Sequence, residues 1–113
     1  MKVIIAGGRD ITDYELVLSA VSESQFDITE IVSGMASGVD ALAVKYSKEN
    51  NLPLNEFWAE WNLYGKSAGP IRNRRMAESA DGLIAIWDGK SRGTKNMIDE
   101  ATKRNLKVFI KYL

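Results

Sequence analysis

The 113-residue chain contains no cysteine and no histidine. Without cysteine there is no disulfide framework, no thiolate nucleophile and no Cys-ligated metal. Without histidine the usual general base, the commonest metal ligand and the Ser-His-Asp triad are lost as well. Acid–base chemistry would have to rest on carboxylates, Lys or Tyr, and neither a metal nor a resident cofactor is expected. Net charge is also missing, because 15 basic residues balance 15 acidic ones. No overall field therefore draws the chain toward nucleic acid, and any such affinity must come from a local patch. No apolar run approaches the roughly 18 residues that cross a bilayer. Met1 to Ala6 meets Gly7-Gly8-Arg9-Asp10 too soon for a signal peptide. A cytoplasmic protein without a membrane partner is expected.

What is present reads as one α/β domain over residues 1–113. Lys2–Ala6, Ile28–Val32, Leu54–Trp58, Gly82–Trp87 and Leu106–Ile110 have the apolar, β-branched character of strands. The continuous run Gly82–Trp87 suits a central parallel strand covered on both faces. Helical periodicity lies between them: a Thr12/Glu15 capping box ahead of Tyr14, Val17, Leu18 and Val21; Ser37 to about Asn50; Pro70 to about Ser79; and Thr94 to Arg104. Strict β-α alternation predicts a parallel sheet of about five strands with helices on both faces. Trp58 is expected in the core of its strand.

Eight of the nine glycines (7, 8, 34, 38, 65, 69, 89 and 93) fall between a strand and the helix that follows it. Ligands of open α/β sheets bind outside the carboxyl ends of the strands, where those loops gather. The central stretch is Ser33-Gly34-Met35-Ala36-Ser37-Gly38-Val39-Asp40, a strand–turn–helix junction suited to an anion. It is equally a plain turn with Ser37 as N-cap and Asp40 completing a capping box. Arg72, placed by this reading in a first helical turn where a cation is disfavoured, has no partner at i+3 or i+4, whereas Arg74 and Arg75 can pair with Glu78. A bound phosphate or carboxylate would offset its charge. Ser91-Arg92-Gly93-Thr94 offers a second cradle, with Thr94 as an ordinary N-cap as the alternative. Trp61 could stack a base or fill an interface. Asp10, Asp40, Glu60 and Asp88 are the carboxylates near this edge, and no spacing among them compels a catalytic pair. Lys66, Arg72, Arg74, Arg75, Lys90, Arg92 and Lys95 could form a local basic rim for single-stranded nucleic acid. Neither GxxxxGK[ST] nor GxGxxG occurs.

Gly7-Gly8-Arg9-Asp10, Ser33–Asp40, Gly65-Lys66-Ser67-Ala68-Gly69-Pro70-Ile71-Arg72-Asn73 and Gly93-Thr94 occur in that order. On these motifs the whole chain resembles the small SLOG-superfamily proteins related to YspA and YpsA, found in phages and bacteria. The superfamily also contains the LOG phosphoribohydrolases and the DNA-processing protein DprA. The resemblance implies a Rossmann-like fold, a homo-oligomer and a nucleotide or nucleotide-derived ligand. The ligand would be held by Gly7, Gly8, Arg9, Ser33, Gly34, Ser37, Gly38, Asp40, Gly69, Arg72, Asn73, Ser91, Gly93 and Thr94. LOG enzymes carry PGGxGTxxE, whose Glu works with an Arg to cleave an N-glycosidic bond. Arg72 matches that Arg, but Met97 stands where the Glu belongs. A LOG-like hydrolase or transferase would need Glu60, Asp88 or Asp40 as a substitute, so ligand binding without turnover is the leading expectation.

Overall fold

Alternate residues of the apolar strands serve opposite faces of one sheet. In the computed structural model, which describes residues 1–113, β1 (Lys2–Gly7) sends Val3 and Ile5 to one face and Ile4 and Ala6 to the other. Four further strands follow: β2 (Glu30–Ser33), β3 (Leu54–Glu56), β4 (Gly82–Trp87) and β5 (Lys107–Tyr112). All pairings are parallel, in the order β3-β2-β1-β4-β5. Helices α1 (Tyr14–Ser24) and α2 (Val39–Glu49) cover the face of Val3 and Ile5, contributing Val17, Ala20, Val39 and Ala43. Helices α4 (Ala68–Ser79) and α5 (Arg92–Lys103) cover the other, with Met76, Ala77, Met97 and Ala101. A short α3 (Trp61–Tyr64) and a 3₁₀ turn (Gly65–Ser67) precede α4. The fold is the expected α/β, Rossmann-like, five-stranded parallel sheet.

Winding reverses at β1. The chain runs from β1 outward through β2 to β3, then crosses back to β4 on the other side of β1 and outward to β5. The loops leaving β1 and β4 therefore part from each other, opening a crevice at their carboxyl ends.

Several expected boundaries shift. The N-cap of α1 is Asp13, not Thr12; its Oδ1 accepts from the Glu15 N–H at 3.1 Å. Helix α2 begins at Val39, so Ser37 is no cap, and the Gly8 carbonyl accepts from the Val39 N–H at 3.2 Å. Pro70 is the third residue of α4, still among the four N–H positions that lack an intrahelical partner. Arg72 consequently lies beyond the first turn, and the dipole argument for its charge weakens. Ser91, not Thr94, caps α5. Arg74 and Arg75 make no ion pair with Glu78; Arg75 lies over the Tyr64 ring at 5.8 Å. Trp58 falls past the end of the short edge strand β3 and is 62% exposed, not core.

Candidate functional site

The crevice at the β1/β4 switch is a cleft of about 420 Å³, within the roughly 300–1,000 Å³ typical of small-molecule sites. Its floor is apolar, built from Ala6, Met76 and Met97. The β1–α1 loop supplies Gly7, Gly8, Arg9 and Asp10, and the β4–α5 turn supplies Asp88, Ser91, Gly93 and Thr94. Asp40, Arg72 and Asn73 close the side toward β2.

Arg72 is the most constrained group in the wall. Its Nη1 donates to the Gly34 carbonyl at 2.6 Å, and its Nε donates to Asn73 Oδ1 at 3.0 Å. Asn73 is 5% exposed, and its Nδ2 donates in turn to the Gly93 carbonyl at 3.3 Å and to Asn96 Oδ1 at 2.9 Å. One buried amide thus ties α4 to α5 and fixes the guanidinium plane. Arg72 Nη2 has no protein partner, yet no buried side-chain polar atom is left unbonded. That nitrogen is therefore open to solvent, on a residue that lines the cleft. Burial lowers the pKa of Arg72, with Asp40 opposing and Arg9 reinforcing the shift, but a guanidinium remains protonated.

The Ser33–Asp40 turn is occupied largely by its own protein. Ser33 is fully buried; its Oγ donates to the Asp40 carbonyl at 3.0 Å and accepts from the Met35 N–H at 3.1 Å. Gly34 is a carbonyl acceptor for Arg72, and Gly38 is pressed against the Gly8–Arg9 backbone. Ser37 is exposed and lines neither cavity. From this turn only Ala36 and Asp40 reach the cleft.

The carboxylates differ sharply. Glu60 is exposed at the start of α3 and does not reach the cleft. Asp88 does line it, but its Oδ1 accepts from the Lys90 and Ser91 N–H groups at 2.8 Å each, which lower its pKa. Asp40 is 6% exposed, and its Oδ2 accepts from the Ala36 N–H at 3.2 Å. Met97, where a LOG enzyme has its Glu, is packed into the floor at 1% exposure.

A side cavity of about 240 Å³ adjoins the cleft and shares Arg9, Arg72, Asn73 and Gly93 with it. Trp61, Gly69, Pro70, Arg92 and Asn96 complete its wall. Trp61 is 48% exposed, with the Arg9 guanidinium 5.7 Å from its ring centre.

The profile of the family described as "YspA, cpYpsA-related SLOG family" matches residues 1–64. The chain belongs to that family. A curated relative, the Gene 61 protein of Mycobacterium phage D29, is 30% identical over 117 residues, covering 95% of this chain and 93% of the relative. The crystal structure of DNA processing protein A (DprA) from Streptococcus pneumoniae superposes with a TM-score of 0.77 at 21% identity. The match covers 96% of this chain but only 49% of DprA, so it speaks for the fold alone.

Two features of this SLOG chain's site escaped sequence reasoning. Asn96 bonds Asn73 and lines the side cavity; its spacing of four from Arg92 on one helix was the available signal. Arg9, Trp61 and Arg92 converge from the β1–α1 loop, α3 and the start of α5, and no local pattern announces that.

Asp40 gives this SLOG domain a pH dependence with a definite sign. Burial dominates and raises its pKa, against the pull of the Ala36 N–H, Arg72 and Arg9. A raised folded-state pKa favours the protonated fold. The associated stability is fully present below the ordinary aspartate value of about 4, and is lost as pH rises through the raised value. Asp40→Asn keeps an acceptor for Ala36 and removes the titration. Urea unfolding from about pH 4 upward should show a flatter stability profile in the variant than in the parent; parallel profiles would contradict this assignment.

Proposed function

We propose that the cleft binds a nucleotide or nucleotide-derived molecule, as a sensor or sequestering module. The observation that carries this reading is Arg72: a guanidinium held by Gly34 and Asn73, with one nitrogen free at the topological switch of a parallel sheet. A charged N–H donor of this kind suits a phosphoryl or carboxylate oxygen, and the switch is where open α/β sheets bind their ligands. Membership of the SLOG family supports a nucleotide over other anions.

LOG-like turnover finds less support. Met97 is apolar and buried, Glu60 lies away from the cleft, and one oxygen of Asp88 is committed to its turn. The rim expected for single-stranded nucleic acid is also partly spent, because Lys95 pairs with Asp99 at 3.2 Å and Arg75 lies over Tyr64.

Titration calorimetry with a panel of nucleoside 5′-monophosphates tests the proposal. One member should bind with 1:1 stoichiometry and remain intact afterwards. An oligonucleotide that binds more tightly than every mononucleotide, losing affinity steeply with salt, would replace it with single-strand binding. Release of free base would replace it with the glycosidase.

A further inference from the structure

The two joined cavities differ in charge. The main cleft carries Arg9 and Arg72 but also Asp10, Asp40 and Asp88. The side cavity carries Arg9, Arg72 and Arg92, and no acidic residue lines it. Arg9 and Arg92 make no ion pair, and Arg9 rests on the Trp61 ring. Three guanidinium groups around one hollow repel each other at the cost of stability, and an anion seated among them reverses the sign of that interaction. Conversely, a phosphate in the main cleft would face three carboxylates, which repel it. Those same carboxylates accept hydrogen bonds from hydroxyl or amino groups, as an acidic residue does for a ribose in other α/β sheets.

We infer that the side cavity bounded by Arg9, Trp61, Arg72 and Arg92 is the phosphoryl subsite, and that the main cleft takes the uncharged, hydroxyl- and amino-bearing part of the ligand. This rests on the nucleotide reading above and gives the ligand a direction. Its phosphate points toward α3, the start of α4 and the Arg92–Gly93 end of α5, away from the Ser33–Asp40 turn, no residue of which lines the side cavity. Trp61 flanks the phosphoryl group and does not stack the base.

Inorganic pyrophosphate is the simplest probe, read by calorimetry and by tryptophan fluorescence. Arg92 is exposed and makes no hydrogen bond or ion pair, so Arg92→Ala should keep the parent circular dichroism. It should weaken pyrophosphate at least tenfold. Lys95→Ala removes an equal charge one helical turn along, outside both cavities, and should change affinity less than twofold. Pyrophosphate binding should perturb the fluorescence of the parent but not of Trp61→Phe. Equal weakening by the two charge removals, or no pyrophosphate binding by the parent at millimolar concentration, would overturn the subsite. If a nucleoside monophosphate binds and Arg92→Ala leaves its affinity unchanged, the orientation fails while the nucleotide reading stands. If pyrophosphate binds through Arg92 and no nucleotide binds, the subsite survives and the nucleotide reading falls.

Discussion

Arg72→Ala is expected to weaken the tightest-binding nucleoside monophosphate at least tenfold, or about 1.4 kcal/mol. Arg72 lines both cavities and keeps one nitrogen without a protein partner, so it serves whichever lobe takes the charged group. The same change should also cost stability. The Gly34 carbonyl loses its donor, and Asp40 loses the first of two neighbouring positive charges. Leaving a buried acceptor unpaired costs roughly 1–3 kcal/mol. Arg72→Lys should recover little, since an ammonium cannot hold Gly34 and Asn73 through one planar fork. The two effects can be separated by adding Asp40→Asn. The double variant should regain part of the stability, because no buried carboxylate is left uncompensated, and none of the affinity. Calorimetry giving parental affinity for Arg72→Ala would remove Arg72 from the site.

The contrast between Arg72 and its surroundings shows where the sequence was legible. β1 and β4 announce themselves because both faces of a central strand are covered, which forces an unbroken apolar run. The alternation of strand and helix then fixes a parallel sheet and its binding edge. Helix starts were less readable, because neighbouring residues compete for the same N–H groups. Asp13 wins over Thr12, and Ser91 over Thr94, choices set by backbone angles and not by side-chain chemistry. The distant partner of Arg72 was not legible: Gly34 lies 38 positions away, and only the crossover between the two halves of the sheet joins them. Asp40 misled for the same reason. As the second residue of α2 it resembles a cap, yet its carboxylate turns inward, bonds Ala36 and sits in the field of Arg72. Trp58 looked like core because it continues a strand-like run, but β3 is an edge strand only three residues long and stops short of it.

Gly38→Ala should be the most damaging single-methyl change in the chain. Gly38 has φ 74° and ψ −132°, a backbone region open essentially to glycine alone. A Cβ there would collide with the Gly8 carbonyl oxygen and stand 2.6 Å from the backbone of Arg9. Both obstacles are main chain, so no side chain can swing away to relieve the overlap. Strained backbone costs about 1–3 kcal/mol and overpacking a further 1–3, against a total stability of about 5–15 kcal/mol for a native domain. A loss of about 3 kcal/mol corresponds to a fall in Tm of at least about 12 °C for a domain of this size. Gly93→Ala is the matched comparison. It lies in the first turn of α5 with open space around its Cβ position, where alanine favours the helix. Its Tm should stay within a few degrees of the parent, and equal losses in the two variants would refute the steric account. The damage at Gly38 also has a functional direction. The Val39 N–H bonds the Gly8 carbonyl at 3.2 Å, so displacing that carbonyl moves the Gly8–Arg9 wall shared with the cleft and shifts Arg9 away from Trp61. Any Gly38→Ala protein that still folds at low temperature should therefore bind pyrophosphate more weakly than the parent, although it retains all three arginines.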